Sequence, residues 1–97
     1  MKVGLEKLES YKRIAVKALL DSGAIGLFID TTFAREKGFK MEKLKNPLLV
    51  RNVDGIVNVG GAITHQVKCN MFFKGHIERA RIDIYNLGKT KVILGMP

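Results

Sequence analysis

Apolar residues recur at every second position through most of this chain, in short runs broken by small turn-forming residues. In RIAVKALLD, Ile14, Val16 and Ala18 alternate with Arg13, Ala15 and Lys17 before the pattern closes into an apolar ALL run directed into the core. Val67, Cys69 and Met71 alternate with Lys68 and Asn70, and Ile77, Ile82 and Ile84 stand among charged residues in HIERARIDIY. A period of two places successive side chains on opposite faces of an extended backbone, so it specifies half-buried strands. Leu5 and Leu8 fit an earlier partner strand, LFID a short apolar strand, and KVILG a last one.

The breaks between these runs are equally informative. Lys74-Gly75 turns the chain between two alternating segments. Asp54-Gly55 is a strong two-residue hairpin signal inside LLVRNVDGIVNVGGAITHQV, and Gly60-Gly61 marks a second bend or bulge. TTFAREKG is the best helical candidate: Asp30, Thr31 or Thr32 caps its start, and Gly38 suits a left-handed stop. It is short, about two turns. MEKLKNP reads as a basic loop broken by Pro47. The expected fold is a mainly β single domain over residues 1–97, a small closed or folded-over sheet with one short helix.

Composition narrows the function classes. The chain has 97 residues, 46% of them hydrophobic and 27% charged, which is ordinary for a globular domain. A domain this small buries only roughly 60–65% of the surface its unfolded form exposes, and a partner subunit is a common remedy. The net charge of +8 comes from 17 Lys and Arg against nine Asp and Glu, spread along the chain without a basic tail. Loose, non-specific association with nucleic acid is the most that this distribution predicts. The single cysteine, Cys69, excludes an internal disulfide and a multi-cysteine zinc site, and it fits a buried or edge strand position. His65 and His76 lie without ligand spacing and read as surface or satisfied core residues. No metal and no cofactor are expected. No stretch approaches the ~20 apolar residues of a membrane span, and no signal peptide opens the chain, so an intracellular location is expected.

One stretch stands apart. ALLDSGA, residues 18–24, ends an apolar run on a carboxylate followed by Ser22, Gly23 and Ala24. A carboxylate beside apolar neighbours is costly unless paired or hydrogen-bonded. Ser22 can bond locally and Gly23 permits backbone that a side chain forbids, so this turn can hold Asp21 rigid and open to a ligand. As a bare motif it is weak, and a plain strand-to-turn transition is the simpler reading.

Taken in order with GLFID, VRNVDG, GAITHQV, the GH return strand, the LGK loop and ILGMP, the motif resembles retropepsin-like aspartic proteases. Within them it is most similar to the protease of gypsy-class LTR retrotransposons, over residues 12–97. The resemblance implies a closed β-barrel of the acid protease fold that forms one half of a two-fold dimer. Asp21 is then the catalytic acid/base, with Ser22 locking the paired loops, Gly23 permitting close approach, and Ala24 lining the cleft. Val53, Asp54, Gly55 and Ile56 fall at the substrate-covering flap, and Ile93, Leu94 and Gly95 at the element packed beneath the catalytic loop. It further implies a homodimer that cleaves an extended peptide within its own polyprotein, in the cytoplasm or inside a virus-like particle.

Family chains usually continue past the ILG element into a helix, so the domain reads as truncated at Pro97. Ile25 stands where relatives usually carry a small polar residue, which bears on specificity. Two further readings remain at this point. One is a catalytically silent retropepsin-like module that binds or dimerises; the other is a small basic β-domain for nucleic acid. Asp30 is read as a helix cap in preference to a substrate ligand.

Overall fold

The computed structural model describes residues 1–21, 26–49 and 62–95. Seven strands and one helix follow in the order β1 (Lys2–Lys7), β2 (Arg13–Asp21), β3 (Leu27–Asp30), α1 (Thr31–Glu36), β4 (Met41–Leu49), β5 (Ala62–Phe73), β6 (His76–Tyr85) and β7 (Val92–Gly95). The sheet order is β1-β2-β7-β3-β6-β5-β4, and β1 also pairs with β5. That extra pairing closes six strands into a barrel and leaves β4 as an annex. Closure matters physically, because it satisfies backbone groups that an open sheet leaves at its edges. The expected mainly β closed barrel with one short helix is what the chain forms.

β5 makes closure possible through its length. Along one edge, its first half takes β4, ending with Leu49 opposite Ala62, and residues 69–72 take β1. Along its other edge β6 runs antiparallel from Gln66 to Phe73. Lys74 and Gly75 connect the two with φ of 45° and 78°, both left-handed, which is the turn whose twist matches a tight hairpin.

Period-two alternation then fills the barrel. Val3 and Leu5, Val16 and Ala18, Val67, Cys69 and Met71, and Ala80, Ile82 and Ile84 all point inward and are buried. A smaller cluster of Phe28, Ile63, Leu87 and Ile93 lies apart from that core. β3 and β7 contribute to both clusters, so these two strands are buried on both faces and read as continuous apolar runs.

The helix begins where Asp30 accepts a hydrogen bond from the Phe33 N–H at 3.1 Å and ends before Gly38, at φ 71°. Phe33 and Ala34 are its buried residues. Three local expectations need correction. MEKLKNP is strand β4, and its pairing with β5 shifts register between Lys43 and Leu48, which accommodates Pro47 on an edge strand. Leu8 lies in the turn after β1, outside the strand. Leu19 and Leu20 do not enter the core: they are 48% and 44% exposed, at the end of β2 that extends beyond its pairing with β1. The hairpin tip at Asp54-Gly55 and the Gly60-Gly61 bend lie outside the described residues.

Candidate active site

Asp21 is the last residue of β2 and is buried. Its position is set by a parallel pairing. β2 runs alongside β7 with Ala18 opposite Val92, Leu19 opposite Ile93, Leu20 opposite Leu94 and Asp21 opposite Gly95. The other edge of β7 takes β3 antiparallel, with Leu27 opposite Leu94 and Phe28 opposite Ile93. Leu94 therefore stands between Leu20 and Leu27, the residues on either side of segment 21–26. The Gly95 N–H donates to the Gly26 carbonyl at 2.7 Å and ties the far end of that segment to the same strand.

This arrangement explains why the short apolar VILG run matters. Val92, Ile93 and Leu94 are buried, at 0%, 1% and 5% exposure, so β7 is anchored on both faces. A strand anchored this way is a rigid base for whatever its neighbours carry at their ends. The structure brings Asp21, Ile93, Leu94 and Gly95 together. Ser22, Gly23 and Ala24, and the flap candidates Val53, Asp54, Gly55 and Ile56, lie outside the described residues.

Asp30 is the second buried carboxylate. Besides capping α1, its Oδ1 accepts from the Leu87 N–H at 2.9 Å, and its own N–H donates to the Lys91 carbonyl at 2.8 Å. It thus clamps the helix start to the segment that leads into β7. The cap was legible in DTTF; the bond to Leu87, 57 residues away, has no local signature.

A groove of about 440 Å³ runs beside Leu19, lined by Ala15, Lys17, Lys89, Thr90 and Lys91. Cys69 is buried in the barrel, and burial pushes its thiol up to about 11, which leaves it protonated and inert at neutral pH. His65 Nδ1 lies 2.8 Å from the Thr64 hydroxyl, and His76 opens β6 at the far end of the β5–β6 hairpin. Among the described residues, no three His, Cys, Asp or Glu side chains gather as metal ligands. A buried carboxylate at a strand end on a rigid support can hold or transfer a proton. Alone it cannot both activate a nucleophile and protonate a leaving oxygen.

A family model described as the PEG10/RTL1 protease domain matches residues 17–97. The match takes in the second half of β2 with Asp21 and runs through β7.

Proposed function

From the chain's membership of the PEG10/RTL1 protease domain family, retropepsin-like protease domains derived from gypsy-class retrotransposons, we propose that it is an aspartic endopeptidase assembled from two copies. The observation that carries this reading is the placement of Asp21 at the carboxyl end of β2, backed by Gly95, within the matched segment. One carboxylate per chain is half of a two-carboxylate machine. In the dimer the two Asp21 side chains face each other across the two-fold axis.

Two carboxylates that close cannot both be ionised, so they share one proton, as aspartic proteases do. The ionised member accepts a proton from a bound water while that water's oxygen attacks the scissile carbonyl carbon. The protonated member donates its proton to the carbonyl oxygen. The tetrahedral diol that forms is neutral, and its collapse transfers a proton to the leaving amine nitrogen and restores the singly protonated pair. Acid and base work of this kind contributes typically 10²–10⁴-fold.

Ser22, Gly23 and Ala24 support the carboxylate in this reading, as the family resemblance implies. The peptide binds extended, adding as a strand between the Asp21 floor and a flap at Val53, Asp54, Gly55 and Ile56, with side chains alternating between pockets. The substrate is a segment of the polyprotein in which the domain is made.

The test is cleavage of a mixed peptide pool at mildly acid pH by the native chain and by Asp21→Asn, over a range of protein concentrations. Turnover per chain rises with concentration in the native protein. It falls by at least about 10²–10⁴-fold in the variant, whose circular dichroism stays native. A folded native chain that cleaves nothing at any concentration overturns the proposal and leaves a binding module.

A further inference from the structure

The charges that are scattered along the sequence are gathered by the strand registers onto one outer face of the barrel. Across β2, β1, β5 and β6 the outward positions carry six cations: Lys2, Arg13, Lys17, Lys68, Arg79 and Arg81. Lys2 is directly opposite Lys17, and Lys68 directly opposite Arg81. Like charges facing each other across strands destabilise a sheet. Two such pairs on one face therefore work against folding, and a polyanion laid over them removes the repulsion.

The carboxylates near this face cancel only part of it. Glu6 is tucked in, with its side chain 16% exposed against 56% for Arg13, and it is engaged by Arg13 at 3.8 Å and by the Asn70 amide at 3.2 Å. Glu42 pairs with Lys68 at 3.3 Å, and Asp83, at the margin, accepts from Gln66. Arg79 and Arg81 are exposed, and Arg79 Nε is braced by Asn70 Oδ1 at 3.2 Å.

A glycine occupies the middle of the face. Gly4 lies between Ala15 and Phe72, and its missing side chain lets Arg13 lie across it onto the Phe72 ring, guanidinium carbon 3.6 Å from the ring centroid. A Cβ at Gly4 would sit 3.3 Å from Arg13 Cδ and 3.4 Å from Phe72 Cβ, tight enough to disturb the stack. The guanidinium thus has one plane on Phe72 while its side chain remains more than half exposed. Beside it Ile77, opposite Phe72, is 65% exposed. Planar cations and aromatics are stacking surfaces for unpaired bases, and flanking Lys and Arg side chains track the phosphates.

We propose that this β2-β1-β5-β6 face binds single-stranded nucleic acid, with the Arg13–Phe72 stack as the base platform and the two like-charge pairs as phosphate contacts. The proposal is independent of the protease reading; of the residues named for this face, Lys17 also lines the groove beside Leu19. An anionic membrane is the less suitable partner, because Phe72 is covered by Arg13 and Ile77 beside it offers a single apolar side chain.

The decisive variant is Lys17→Glu/Arg81→Glu, which turns both like-charge pairs into opposite-charge pairs. Fluorescence anisotropy with a labelled, unstructured 20-nucleotide RNA is read at several salt concentrations. The native chain binds with a slope of log K against log salt of about −3 to −4, the value for four to six phosphates on a single strand. The double variant loses at least about tenfold in affinity while its Tm holds or rises. Lys37→Glu/Lys43→Glu, with the same net charge but off the face, loses less than about twofold. Arg13→Ala, folded by circular dichroism, also weakens binding and does so without the double variant's change in charge pairing. Equal losses in the face and control pairs overturn the proposal, as does no RNA binding at low salt. Tighter binding to phosphatidylserine vesicles or to duplex RNA than to the single strand overturns it as well.

Discussion

Two aspartates end strands in this protein, and their surroundings assign them different work. Asp30 holds three backbone groups: the N–H groups of Phe33 and Leu87 on its carboxylate, and the Lys91 carbonyl on its own N–H. Asp30→Ala leaves the first two donors buried without an acceptor. Loss of a cap costs about 1 kcal/mol, and a stranded buried donor about 1–3 kcal/mol more. Urea unfolding of Asp30→Ala is expected to show a loss of about 2–4 kcal/mol, with Asp30→Asn losing less because its amide oxygen still accepts one bond. Asp21, by contrast, ends a strand whose neighbour at that point is a glycine. Its substitution by Asn is expected to spare stability and remove turnover.

At the scale of elements, β7 has the most to hold. It is four residues long, yet it pairs with β2 on one edge and β3 on the other, and its faces enter both apolar clusters. Leu94→Ala opens a cavity in the barrel interior, and Ile93→Ala opens one in the outer cluster with Phe28, Ile63 and Leu87. Each is expected to cost about 2–5 kcal/mol in denaturant unfolding. Because Leu94 spans the residues on either side of the Asp21 segment, Leu94→Ala is also expected to lower activity in protein that is still folded. Ile93→Val, a far smaller change at about 0.5–1.5 kcal/mol, is the control for general loss of packing. An Ile93→Ala or Leu94→Ala protein as stable as the native chain would mean that β7 does not support the Asp21 segment.

The barrel closes around one interior, and Cys69 lies within it with no exposed surface. Burial raises its thiol from 9.0 to about 11. Below pH 9 the thiol is protonated in both folded and unfolded chains, and its contribution to stability is constant. Between pH 9 and 11 the unfolded chain releases the proton and the folded chain keeps it. Stability therefore falls with rising pH, at about 1.4 kcal/mol per pH unit and by up to about 3 kcal/mol over the window. Above about pH 11 both states are ionised and this fall ends. Cys69→Ala is expected to have a shallower stability slope than the native chain across that window, with the lysine background common to both. Alkylation of Cys69 at pH 8 is expected to keep pace with global unfolding, since no smaller opening exposes the centre of a closed barrel. Rapid labelling of folded protein would contradict this.

Local sequence determined what each short segment could be. Alternation in RIAVKAL, VKCNM and HIERARIDI specified strands and their inward faces, since side chains of an extended backbone can only alternate. Lys74-Gly75, the Asp30 cap and the Gly38 stop were legible because turns and caps rest on residues a few positions apart. The same reasoning located Asp21 at a strand end. Tertiary structure decided the rest. Pro47 argued for a loop, yet β4 forms because an edge strand with a register shift tolerates a residue that cannot donate. Leu19 and Leu20 looked like core, yet they stand half exposed because hydrophobicity does not reveal where a strand extends beyond one of its neighbours, here β1. The bond from Asp30 to Leu87, the seating of Asp21 beside Gly95, and the gathering of distant cations on one face all depend on which strands become neighbours. That choice is made by closure of the barrel, through contacts between residues far apart in the chain, and no local pattern encodes it.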